Sequence, residues 1–92
     1  MMESSHSKII EAIETVKGQR FAIWQIVLLT ECSPKTISRV LEILRNMKYV
    51  GKMPRGYNHK YWLTTGRWLE SPREISEKFE LFILLSHDKV KI

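Results

Sequence analysis

Residues Ser33–Thr65 read SPKTISRVLEILRNMKYVGKMPRGYNHKYWLTT. Ser33 suits a helix N-cap, because its hydroxyl oxygen accepts from a backbone N–H left without a helical partner. Pro34 suits the first helical position, where no N–H is needed. A helix over 34–47 is therefore expected. At about 100° per residue, Ile37, Val40, Leu41, Leu44 and Met47 share one side. Lys35, Arg39, Glu42 and Asn46 fall opposite, with Ser38 beside them. A solvated helix face usually carries more Glu, paired with Lys at i,i+4. Over residues 35–48 this chain sets one acid against four bases.

The second half of the stretch reads as a hairpin. Tyr49-Val50 and Tyr61–Leu63 have strand composition, and Pro54, Gly56 and Asn58 supply turn chemistry between them. In the second strand Tyr61 and Leu63 share one face, and Lys60, Trp62 and Thr64 the other. Trp62 must then pack under the last helix, lie in an interface or be exposed. The tip carries Lys52, Arg55, His59 and Lys60, interleaved with Tyr57.

Charge follows the same boundaries. The 92 residues carry a net +5, with a sequence pI near 9.6. Residues 35–67 hold eight bases against Glu42 alone, a net of +7, while residues 1–34 and 68–92 each come to −1. A basic middle between nearly neutral flanks is a footprint for a polyanion, and its confinement to one helix and one hairpin argues against a generic solvated surface.

Working outward, SKIIEAIETVKGQ puts Ile9, Ile10, Ile13 and Val16 on one helical face. A first helix over roughly 6–17 follows, capped by Ser5 or Ser7 and stopped by Gly18. Phe21-Ala22-Ile23 reads as a short strand or lead-in. Trp24 to Thr30 holds Ile26, Val27, Leu28 and Leu29, which predicts a short second helix buried on most sides, with Trp24 as a core or staple residue. Cys32, the single cysteine, is expected to be a small buried hydrophobe; it allows no internal disulfide and gives no metal-ligand spacing.

Near the end, SPREISEKFELFILLSH opens with a capping box: Ser71 as cap, Pro72 at the first position and Glu74 at the third. A helix from Pro72 is expected, although LFILL and VKI also fit a final hairpin. Ile75, Phe79 and Phe82 make one face, and Leu81, Ile83, Leu84 and Leu85 extend the apolar surface around the end. So much apolar surface predicts burial against a second copy, through Ile75, Phe79, Leu81, Phe82 and Leu85.

The order is then helix, short strand, helix, helix, strand, basic turn, strand, helix: a mainly α fold with a small β-hairpin. It resembles a winged helix-turn-helix domain, and residues 7–69 are most similar to the DNA-binding domain of IclR-type regulators. The local pattern lies in WQIVLLTECSPKTISRVLEILRNMKYV, a short wing, and the strand KYWLTTGRWLE. A winged-helix domain is expected over 1–69, and the excess apolar surface of the last helix makes 70–92 an expected dimerisation element. The resemblance implies that helix 34–47 enters a major groove, with Lys35, Thr36, Ser38 and Arg39 reading bases. It places the wing, residues 51–60, on the backbone or minor groove through Arg55, Tyr57, Asn58, His59 and Lys60. Asn46, Lys48 and Lys52 complete the candidate DNA-binding set. The turn carries Glu31 where the family usually has glycine. The similarity includes no effector-binding domain, so no small-molecule sensing is implied.

Sequence-preferring binding of double-stranded DNA, as a small transcriptional regulator acting as a homodimer, is the expected function. A winged-helix protein-interaction module, using Trp62, Trp68 and the last helix, is the alternative. Single-stranded nucleic acid stacked on Tyr57 and Trp62 is a lesser one. No nucleophile has a base at a motif spacing and no glycine-rich phosphate loop is present, so neither an enzyme nor a cofactor or metal is expected. His6, His59 and His87 read as surface residues. No apolar run reaches the ~18 residues of a membrane span, and MMESSHSK lacks a signal-peptide pattern, so a cytoplasmic location is expected.

Overall fold

The computed structural model describes residues 5–16, 19–53, 61–63 and 70–90, with side chains described through residue 85 and not at 61–63. Among these, the chain is mainly helical: α1 (Ser5–Thr15), α2 (Ile23–Thr30), α3 (Pro34–Asn46), β1 (Val50–Lys52), β2 (Tyr61–Leu63) and α4 (Pro72–Val90).

α1 is the centre of the packing. Its Ile9, Ile10 and Ile13 are fully buried, and the helix lies against α2, α3 and α4. It begins at Ser5, so Ser5 and Ser7 both lie inside it, and it ends at Thr15. Gly18, its expected stop, is outside the described residues. His6, expected at the surface, belongs to this helix. It is half-buried, with Nδ1 3.0 Å from Glu80 Oε2 and its ring 4.9 Å from that of Phe79.

Phe21 forms an isolated β-bridge and is buried with Ala22. Gln25 Oε1 accepts from the Ala22 N–H at 2.8 Å, which opens α2. This helix departs from the expectation of burial on most sides. Only Ile26 is fully buried; Trp24 is 55% exposed and Leu28 74%. Eight residues make barely two turns, and one stripe of so short a helix suffices to contact α1 and α3. Cys32 is half-buried.

Glu31 ends α2 in the left-handed region, at φ 61°, and its N–H donates to Val27 O at 2.7 Å. Such a conformation favours glycine, and here a glutamate adopts it. Ser33 Oγ then accepts from the Thr36 N–H at 3.2 Å, and α3 starts at Pro34. Three residues separate the two helices.

α3 buries Ile37, Val40, Leu41 and Leu44, with Met47 half-buried at its C-cap. It closes with a Schellman motif. The Tyr49 N–H donates to Leu44 O and the Lys48 N–H to Arg45 O, each at 2.9 Å, while Lys48 adopts φ 73°. Tyr49 and Leu44, the two residues whose contact accompanies this motif, are both buried. β1 pairs antiparallel with β2 in the register Val50↔Leu63, Gly51↔Trp62 and Lys52↔Tyr61.

α4 opens with the capping box. The Glu74 N–H donates to Ser71 Oγ at 3.2 Å, and the Ser71 N–H to Glu74 Oε1 at 3.0 Å. The helix continues to Val90, so LFILL is helical and forms no final hairpin. Glu70, just before the cap, joins two elements: Tyr49 Oη donates to its Oε1 and Lys78 Nζ to its Oε2, both at 2.6 Å.

Lys48 and Glu31 hold conformations that cost a residue with a Cβ about 1–2 kcal/mol. Glycine loses about 0.5–1 kcal/mol more backbone entropy on folding. Lys48→Gly and Glu31→Gly should each raise stability in urea by a net of roughly 0.5–1 kcal/mol, whereas valine at either position should lower it.

Candidate nucleic-acid interface

The site follows from how α3 is held. Its apolar stripe faces α1, α2 and β1, so the opposite side meets solvent. Lys35, Arg39, Glu42 and Asn46 lie within an arc of about 60° on that side. Lys35, Arg39 and Asn46 are exposed, and Ser38 is half-buried at the edge of the arc. Thr36 is half-buried and drawn into the N-cap, where its hydroxyl is 3.0 Å from Ser33 Oγ.

Lys48 is exposed at the C-terminal end of α3, and Lys52 ends β1. The Schellman turn sends the chain directly from helix to strand, so these cations border the same unit. β1 and β2 are joined through residues 53–60. Of the expected wing contacts, Arg55, Tyr57, Asn58, His59 and Lys60 lie outside the described residues, as does Trp68 and the side chain of Trp62.

The cations fall into two groups. Lys35, Arg39 and Lys48 make no side-chain hydrogen bond or ion pair with described residues. Arg45 and Lys52 are paired with Glu42: Nη1 lies 2.8 Å from Oε1, and Nζ lies 3.5 Å from Oε2. The Glu42–Arg45 pair is readable from its i,i+3 spacing. The Glu42–Lys52 pair spans two elements and has no local signal.

The surface expected to meet a second copy is corrected by the packing. Ile75 and Phe79 have no exposed surface; they belong to this chain's own core, with α4 lying on α1. Phe82 is half-buried and Ile83 packs against the same core. Leu81, Leu84 and Leu85 remain exposed on the second half of α4. The correction has a simple cause: α1 presents three buried isoleucines and needs cover that α2 and α3 do not complete. A second exposed group, Trp24, Leu28 and Leu29, lies on α2, where burial was expected.

Among the described residues, no group of three or more His, Cys, Asp or Glu side chains is placed to hold a metal ion, and no helix is long and apolar enough to cross a membrane.

Phe79→Ala should destabilise the chain by about 3–5 kcal/mol, with a loss independent of protein concentration. Leu85→Glu, on the exposed face, should leave the unfolding free energy of the monomer within about 0.5 kcal/mol. Chemical denaturation at two concentrations reads both. No protein-family model, curated protein or solved structure matches the chain.

Proposed function

We propose that the chain is a winged helix-turn-helix domain that binds double-stranded DNA with sequence preference, as a small transcriptional regulator. One observation carries this reading: the buried stripe of α3 fixes the helix so that Lys35 and Arg39 project from its open side, free of acidic partners among the described residues. The three-residue connection from α2, and the antiparallel pair that follows α3, support the same reading.

In this reading α3 lies in the major groove. Lys35 and Arg39 supply bidentate or charged donors for guanine O6 and N7, with Ser38 and Thr36 at the edge of the contact. Lys48 neutralises a phosphate at the end of the helix, and the wing, including Arg55 and Lys60, extends the positive surface along the backbone. A second copy docked on Leu81, Leu84 and Leu85 doubles the site and matches a palindromic operator.

The exposed Trp24, Leu28 and Leu29 favour a second reading, a protein-interaction module with no DNA role. Charge separates the two. Selection from a random duplex library, followed by binding at several salt concentrations, should give a log–log slope that steepens by about 0.9 per phosphate contacted. Arg39→Ala should weaken the selected duplex by about 5- to 150-fold, the equivalent of one bidentate base contact. Arg39→Glu combined with Arg55→Glu should abolish binding. A flat salt dependence rejects the DNA reading and leaves the interaction module.

A further inference from the structure

Glu42 is the only acid among residues 35–67, and it sits in the middle of the open face of α3. Its two oxygens are divided between two elements, Oε1 to Arg45 one turn further along the helix and Oε2 to Lys52 at the end of β1. All three side chains are a third or more exposed, so these pairs contribute little to folding. What they change is the charge offered to an approaching phosphate. The cluster presents +1 in place of the +2 that Arg45 and Lys52 would present alone.

We propose that Glu42 is a positioning residue that holds Arg45 and Lys52 away from the phosphate backbone, and so sets the ratio of specific to non-specific DNA binding. The proposal rests on the duplex-binding reading above. Non-specific binding is almost wholly electrostatic, and it draws on every cation within reach of a phosphate. A cation held by a carboxylate must leave that partner first. Lys35 and Arg39 have no such partner among the described residues, so their contacts to base edges are left open. The carboxylate therefore lowers random-sequence affinity more than affinity for a fitted site. It also links the end of β1 to α3.

The test uses the full chain as wild type, Glu42→Gln, Lys52→Ala and the double variant. Each is titrated against the selected duplex and a random-sequence duplex at several salt concentrations. Glu42→Gln should steepen the random-duplex slope by about 1–2, near 0.9 for each cation released, and raise random-duplex affinity roughly tenfold at moderate salt. The selected-to-random ratio should fall by a similar factor. Lys52→Ala should leave the slope unchanged in the wild-type background and reduce it by about 0.9 in the Glu42→Gln background. That dependence of one substitution on the other distinguishes a clamp from a bare negative charge.

Equal effects of Lys52→Ala in both backgrounds overturn the proposal, as does an unchanged random-duplex affinity in Glu42→Gln. Lys52→Ala alone leaves the Glu42 carboxylate in place, and a slope that falls in that single variant overturns the clamp even where Glu42→Gln fails to fold. A wild-type chain that binds neither duplex removes the DNA reading itself, and the clamp with it.

Discussion

The surface of this protein depends on the burial of one stripe of α3. Ile37, Val40, Leu41 and Leu44 are at most 1% exposed. Burying each such side chain is worth about 1.5–3 kcal/mol, so any rotation of the helix that released the stripe would cost several kcal/mol. The rotation of α3 about its axis is thereby fixed. Lys35 and Arg39 have no choice of direction, because the helical repeat places them opposite the stripe. The cationic face is a consequence of the apolar one.

The ends of α3 are held as firmly as its face. Ser33 and Pro34 start it, and the Schellman turn stops it after a fixed number of residues. Left-handed residues bracket the helix on both sides, at Glu31 and at Lys48. Neither is glycine, so both carry conformational strain. At Lys48 the strain comes with a cation close to the C-terminal end of a helix, where the backbone dipole favours positive charge. The turn that ends the helix therefore also sets a base at the margin of the cationic face.

α4 has two halves with different roles. Its first half completes the core: Ile75 and Phe79 cover α1, His6 meets Glu80, and Glu70 ties Tyr49 to Lys78 at the base of the hairpin. Its second half leaves Leu81, Leu84 and Leu85 in solvent. A domain of this size cannot enclose all its apolar side chains, since surface grows relative to volume as chains shorten. The uncovered leucines lie on the side of α4 opposite Ile75, Phe79 and Ile83, which face the core.

Local chemistry made much of this legible. The Ser33–Pro34 start, the stripe of α3, the capping box at Ser71 and Glu74, and the strand at 61–63 all depend on residues close together in the chain, so periodicity and cap chemistry are enough to read them. The first strand, expected at Tyr49-Val50, runs instead from Val50 to Lys52, a residue expected in the tip. The exposed side of α3, with Lys35 and Arg39, was legible for the same reason. Trp24 is exposed against expectation: hydrophobicity says that a residue favours burial and not which side of a short helix the fold covers. Ile75 and Phe79 lie in this chain's own core and not against a second copy; the sequence does not reveal which helix an apolar face meets. The joining of Glu42 to Lys52, ten residues apart on different elements, required the turn at Lys48 to bring the strand back beside the helix. The sequence by itself thus determined the helices, the N-caps of α3 and α4 and the open face of α3, because these follow from neighbours along the chain. Tertiary structure alone decided which apolar faces were covered and which cations were paired, because both depend on what folding brings alongside.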